Sequence, residues 1–149
     1  MHYERLIKRV NDWATSHPIL QTFTDGEFEF SDYEKNVKTP SIHFQLSSIN
    51  YEENARVYSF DIYIMEQYRE NENEILSVRQ AINDTALIAE DLISEAKNGF
   101  NIFSISECFL RLPISVTPFI EENNMVLVGV QFQMQIETPF LADACNAPT

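Results

Sequence analysis

One stretch near the C-terminus has the most regular alternation of apolar and polar positions in the chain. In residues 124–137 the even positions from Val126 to Ile136 are all apolar, whereas the odd positions change from apolar residues to glutamines. A period of two places successive side chains on opposite faces of a β-strand. The pattern therefore predicts a long strand with one face on a core, roughly 40 Å in length at about 3.3 Å per residue.

Two earlier stretches alternate in the same way. The first covers residues 41–47 and the second residues 58–65, and the linker 49–54 between them is typical of a hairpin connection. Because strands joined by a short linker usually pair antiparallel, residues 41–66 are predicted to form a long β-hairpin. A shorter hairpin at a sheet edge is predicted around the turn at residues 25–26.

Helical periodicity marks two further segments. Residues 3–16 carry apolar side chains on one stripe, and Pro18 ends this helix because the residue before a proline is pushed out of the helical region. A second helix is predicted from the capping-box sequence at residues 71–74 to Lys97. It has about 25 residues and a length near 38 Å, which matches the long strand, so it is predicted to lie across the sheet.

Together these elements predict an α+β fold. We expect a single domain over residues 1–140, with a mostly antiparallel β-sheet that contains the long hairpin. One face of the sheet is expected to be covered by the N-terminal helix and the long central helix. Residues 141–149 have weak structural signals and are predicted to be an arm or a disordered end.

The balance of charged residues limits the partners of the chain. It has 23 acidic residues against 10 Lys and Arg, which gives a formal net charge of −13. Such a field repels nucleic-acid phosphates, so tight binding of DNA or RNA is not expected, although DNA can still pass a surface to which it does not stick.

No apolar run approaches the roughly 20 residues that span a bilayer, so no membrane association is expected. Cys108 and Cys145 do not make a disulfide framework, which favours assembly in a reducing, intracellular compartment.

The sequence contains no recognisable catalytic or metal-binding motif. Its three histidines, His2, His17 and His43, fall on separate predicted elements without the spacing of paired ligands. His43 is predicted to lie on the polar side of its strand, where Asp61 of the neighbouring strand could face it. Such a pair belongs to acid–base machinery, but without a nucleophile a cross-strand polar contact is the better interpretation. We therefore expect no enzymatic activity, no cofactor and no metal.

One face of the predicted sheet carries neutral polar side chains where a solvated face usually carries Lys and Glu. Uncharged rows with apolar ends suit contact with a second copy or a neighbouring protein. The alternative is a sheet face in water, which is ordinary for antiparallel sheets. The candidate interface residues come from this face and from the hairpin turn: Gln131, Gln133, Gln135, Tyr51, Glu52, Glu53, Tyr63 and Met65.

The order of these elements resembles that of tail-terminator and tail-completion proteins of tailed bacteriophages, in particular small neck and ring proteins of crAss-like phages. Three stretches carry the resemblance: YERLIKRVNDWATSHP at residues 3–18, IYIMEQYRENENEILSVRQAINDT at residues 62–85 and VGVQFQMQIETPF at residues 128–140. The similarity covers nearly the whole chain, and its motifs are hydrophobic patterns without a chemical signature.

The resemblance implies a non-enzymatic virion protein that forms a ring, often sixfold or twelvefold, at the neck or the end of the tail. Its partners would be itself and the neighbouring portal, connector or tail proteins, with genomic DNA passing through the lumen. It also implies assembly in the cytoplasm of the host bacterium and no cofactor. The alternative is a small acidic adaptor or inhibitor, a DNA mimic that binds a basic partner.

Overall fold

The computed structural model describes residues 3–27, 38–68, 74–98, 108–122 and 126–140, and all their side chains except those of residues 68, 74–77 and 98. Within these segments the elements are, in chain order, α1 (Tyr3–Ser16), β1 (Thr22–Asp25), β2 (Ser41–Tyr51), β3 (Ala55–Tyr68), α2 (Glu74–Asn98), β4 (Phe109–Leu110), β5 (Thr117–Glu122) and β6 (Val126–Pro139). The described part of the chain is thus an α+β fold with one six-stranded, mostly antiparallel sheet, and the predicted fold class is confirmed.

The sheet is built around β3 and β6, which pair antiparallel along their whole length. The strand order is β1-β2-β3-β6-β4, and β5 also pairs with β6. Since β3 occupies one edge of β6, β4 and β5 share the other: β4 pairs with residues 136–137 of β6 and β5 with residues 126–131. The predicted long strand is therefore central, while the segment with Pro118 forms an edge strand, as expected of a residue that donates no ladder hydrogen bond.

Both helices pack on the same face of the sheet. The cross-strand pairs Ile62–Phe132 and Tyr58–Ile136 lie on this face, which is the apolar row of the alternation pattern. Leu6 and Val10 of α1 join the same buried cluster, and so does Leu92 of α2. Burying the apolar stripe of each helix against the apolar sheet face is the main stabilising contribution in a fold of this kind. The prediction that both helices cover one face is confirmed.

The element boundaries differ from the predicted ones in a few places. The turn of the long hairpin contains only residues 52–54, because both strands extend further than the alternation indicated. The first arm of the hairpin predicted around residues 25–26 is β1, which lies at the end of the strand order and pairs in parallel with β2. The second arm of that hairpin, the capping-box residues before Glu74 and the tail 141–149 lie outside the described residues.

Strands β3 and β6 approach each other closely at Gly129. This residue lies opposite Met65, and an added Cβ atom would lie 2.9 Å from the carbonyl carbon of Ile64 and 3.0 Å from the Cα atom of Met65. Real Cβ atoms do not approach main-chain atoms that closely. The position therefore requires glycine for steric reasons.

Candidate functional site

The sheet face opposite the helices carries the predicted row of glutamines. The register pairs Gln135 with Ser59, Gln133 with Asp61 and Gln131 with Tyr63, so the side chains of each pair project from the same face. We call this surface the glutamine face and define it by Gln131, Gln133, Gln135, Asp61 and Tyr63. The structure thus brings four of the eight candidate interface residues together on one surface.

Accessibility divides the candidates on this face. Gln133 is exposed, while Gln131, Gln135 and Tyr63 are half-buried. The Nε2 group of Gln135 donates a hydrogen bond of 3.3 Å to the hydroxyl of Ser59. The prediction that Met65 is accessible to a partner is wrong, because its side chain is fully buried. It lies where the sheet is widest, with β1 and β2 on one side and β6 and β5 on the other.

The three candidates in the hairpin turn form a separate group at the end of the sheet. Tyr51 is 62% exposed, and its ring meets the edge of Phe140 at a centroid distance of 5.2 Å. Glu52 accepts a hydrogen bond of 2.8 Å from the guanidinium of Arg111. Glu53 is exposed. The turn is thus tied to the end of β6 and to the residue after β4, and it is not continuous with the middle of the glutamine face.

His43 does not face Asp61, so the predicted cross-strand contact is wrong. The register places His43 opposite Tyr63 and Asp61 opposite Gln45. The His43 ring instead reaches towards β1: its Nε2 donates to the carbonyl oxygen of Gly26 at 2.8 Å, and its Nδ1 accepts from the hydroxyl of Thr24 at 2.6 Å. Burial lowers the pKa of His43, so the ring is neutral at neutral pH. With Nε2 donating to Gly26, the Nδ1 of a neutral ring is the acceptor. The ring holds the β1 turn against β2.

The protonation of His43 is expected to weaken the fold. Burial lowers the pKa of His43 below its ordinary value of 6.5, and the hydrogen bond to Gly26 and the charge of Asp25 offset only part of this effect. A lowered folded-state pKa means that the stabilising contribution is complete above pH 6.5 and is lost as the pH falls through the folded-state pKa. His43→Gln should therefore reduce the slope of unfolding free energy against pH, by at most about 1.4 kcal/mol per pH unit for one proton.

Urea unfolding at several pH values between about 7.5 and 5.5, above the range where carboxylates titrate, measures this slope. The comparison variant is His17→Gln, which removes the other described histidine. The Nδ1 of His17 accepts from the main-chain amides of Ile19 and Leu20 at 3.2 and 3.4 Å, and its Nε2 lies 3.0 Å from the exposed carboxylate of Asp91. An unchanged slope in the His43 variant would contradict the prediction.

Large apolar side chains are exposed at both edges of the sheet, and of these only Tyr51 is among the interface residues predicted from the sequence. At one edge β2 exposes Ile49 and Tyr51. The opposite edge exposes four large apolar side chains in and between β4 and β5: Phe109, Leu112, Val116 and Ile120. Alternation cannot separate these from core residues, because an apolar position in a strand has the same pattern whether or not something covers it. The prolines around β5 were the available signal that this part of the chain lies at an edge.

The described residues hold no group of three or more His, Cys, Asp or Glu side chains that could bind a metal ion. In the same part of the chain, neither helix is long and apolar enough to cross a membrane. The structure thus belongs to the class of one-sheet α+β domains with helices on one face and a largely neutral polar surface on the other. No protein-family model matches the chain, and neither does any curated protein.

Proposed function

We propose that the protein is a structural virion component that forms a ring at the head–tail junction of a tailed bacteriophage, where it joins the portal or connector to the tail. The observation that carries the proposal is the pair of exposed apolar edges on opposite sides of one sheet. Ile49 is 38% exposed at one edge and Ile120 is 51% exposed at the other. A closed ring of identical subunits needs two different surfaces that complement each other.

The two edges are suited to such a head-to-tail contact. They are separated by β3 and β6, so β2 and β5 lie about 14 Å apart at the usual strand spacing. Among the described strands only β1 pairs with the outer edge of β2, and it covers residues 41–44. No other described strand pairs with this edge at residues 45–51, and residues 47–51 are exposed, which suits the addition of a strand from another subunit. Apolar side chains beside an open strand edge favour burial between subunits.

The net charge is consistent with DNA passing through the ring. A formal charge of −13 on each subunit is multiplied by the number of subunits, and it repels the phosphates of a duplex in the lumen. DNA would therefore slide past without being held. The proposed partners are other copies of the chain and the adjacent portal, connector or tail proteins, and the proposed location is the neck or tail of the virion.

The head-to-tail contact is tested with two variants that each block one edge. Ile49→Asp places a charge at the β2 edge and Ile120→Asp at the β5 edge, so each variant alone should lose the ring and remain monomeric. Each keeps one intact edge, and these two intact edges complement each other. An equimolar mixture should therefore form a heterodimer and nothing larger, as measured by light scattering and native mass spectrometry.

Leu87→Asp is the matched control, since Leu87 is 50% exposed on α2 and belongs to neither edge strand. This variant should assemble like the unmodified chain. If the unmodified chain assembles only on a partner ring, the same variants are compared with portal or tail components present. The proposal is wrong if the unmodified chain stays monomeric even with those components. Homodimers of the single-edge variants would contradict the head-to-tail geometry.

The net charge favours a second candidate, a small acidic adaptor or inhibitor that imitates DNA. That function predicts a stable monomer that binds a basic nuclease or polymerase. A pull-down that retrieves only virion proteins would exclude it, and a pull-down that retrieves a nucleic-acid enzyme would favour it over the ring.

A further inference from the structure

A cleft of about 240 Å³ opens on the glutamine face. It lies between the sheet and the segment that joins β4 to β5. Six polar residues line it, from β3, from the joining segment with the start of β5, and from β6: Asp61, Tyr63, Ser115, Thr117, Gln131 and Gln133.

The strand pairing explains why these side chains meet. Asp61 lies opposite Gln133, and Gln131 lies between Tyr63 of β3 and Thr117 of β5. The main-chain amide of Arg111 still donates to Gln135 of β6 at 3.0 Å, but the residues after it leave the edge until β5 begins. This departure brings residue 115 to the rim of the cleft.

The lining of the cleft is rich in hydrogen-bond acceptors. The carboxylate of Asp61, the amide oxygens of the two glutamines and the two hydroxyls all accept hydrogen bonds. Burial and the charge of Asp61 raise the pKa of Tyr63, so its phenol stays protonated at neutral pH. The cleft thus carries one negative charge, that of Asp61.

At the end of the sheet Glu52 and Glu137 share a cation, whereas Asp61 forms an ion pair with no described residue. Arg111 lies 2.8 Å from Glu52 and 3.3 Å from Glu137. No ion pair joins Asp61 to another described residue. A half-buried carboxylate beside neutral acceptors therefore favours a ligand that is cationic and carries several donors.

The size of the cleft favours a single side chain as this ligand. Its volume of about 240 Å³ is below the roughly 300–1,000 Å³ of typical small-molecule sites. A guanidinium group offers five donors in one plane, which suits a carboxylate flanked by amide oxygens better than an ammonium group does. A basic protein is also the partner that a chain of net charge −13 attracts at long range.

We propose that this cleft receives an arginine side chain of a basic partner protein. The inference rests on the proposed role of the protein in assembly, because it names the chemistry of the partner that docks on the glutamine face. The cleft adjoins the β5 edge through Ser115 and Thr117, but the two proposals are tested at different residues. The cleft is altered at Asp61 on the central strand β3, whereas the ring contacts are altered at Ile49 and Ile120 on the edge strands β2 and β5.

The test is ligand-observed saturation-transfer NMR with N-acetyl-argininamide as the probe, at constant ionic strength. The unmodified full-length chain should bind the probe saturably, and the citrulline analogue, a neutral isostere, should not compete with it. Asp61→Asn should weaken binding about tenfold, because the charge-assisted hydrogen bonds are lost. The control is Asp12→Asn, which removes the same charge from an exposed position on α1 and should bind like the unmodified chain.

Three results would overturn the inference: no saturable binding of the probe, equal binding by the Asp61 and Asp12 variants, or equal binding of the citrulline analogue. Circular dichroism establishes that both variants are folded. The outcome is distinguishable from that of the ring experiment. If rings form but the probe does not bind, only the proposal for the cleft is wrong. If the probe binds to a chain that never assembles, only the proposal of a ring is wrong.

Discussion

Replacing Gly129 with alanine is expected to prevent the chain from folding. Gly129 sits in β6 opposite Met65, and an added methyl group would collide with the main chain of β3 at Ile64. Main-chain atoms in the centre of a sheet cannot move aside without breaking the ladder on both strands. We expect a loss of more than about 4 kcal/mol, a large part of the roughly 5–15 kcal/mol that stabilises a typical domain. Urea unfolding of the soluble protein measures the loss of stability. If no soluble protein is obtained, the variant has failed to fold, as expected.

The matched control is Gly26→Ala. Gly26 has a φ of 111°, which strains any residue with a Cβ atom, but nothing lies within 4 Å of the added carbon. This variant should fold with a loss of about 1–2 kcal/mol from the backbone strain alone. If the two alanine variants lose similar stability, the close approach of β3 and β6 is not the reason that position 129 requires glycine.

The elements of this fold were predictable because most of them are long and regular. The helix predicted over residues 3–16 has these bounds in the structure, and the long strand begins and ends two residues later than predicted. A stripe with helical spacing or an alternating row extends over many residues, so a few exceptions do not obscure it. Which elements pair could not be predicted in the same way. The parallel pairing of β1 with β2 depends on the path of the chain between them, which periodicity does not contain.

Register explains the errors at individual residues. His43 and Asp61 both lie on the polar side of adjacent strands, as predicted, yet they are not opposite each other. A shift of two residues along a strand preserves every face and changes every partner, so the alternation pattern allowed the contact that the structure excludes. Met65 was placed on the correct face, but its burial depends on the strands that widen the sheet there.

The interaction surfaces were predictable only in part. The glutamine row is visible in the sequence because neutral polar residues recur at a period of two. The cleft is not visible, because Ser115 and Thr117 come from a different segment and approach Asp61 only when β5 pairs with β6. Apart from Tyr51, the exposed apolar residues at the two edges are hidden for the same reason. A strand edge is defined by what does not pair with it, and that is a property of the whole sheet.

A charge at Phe132 is expected to abolish folding, whereas the same charge one residue further along the chain should be tolerated. Phe132 points to the helix-covered face and is 5% exposed, in register with the fully buried Ile62. Phe132→Asp removes a large apolar side chain, which costs about 3–5 kcal/mol, and buries a carboxylate among apolar neighbours. The combined loss is comparable to the whole stability of a domain of this size. Circular dichroism and urea unfolding should show an unfolded or insoluble chain.

Gln133→Asp is the control, because it places the same charge at the next residue of the chain but on the opposite face of the strand. Gln133 is exposed on the glutamine face, so its new charge stays in water, opposite the Asp61 carboxylate. Like charges on facing residues cost less than about 1 kcal/mol, and the variant should remain folded. If Gln133→Asp unfolds the chain as Phe132→Asp does, the two faces of β6 do not have the separate roles in folding and interaction that the structure assigns to them. If both variants fold, the row from Val126 to Ile136 is not the core.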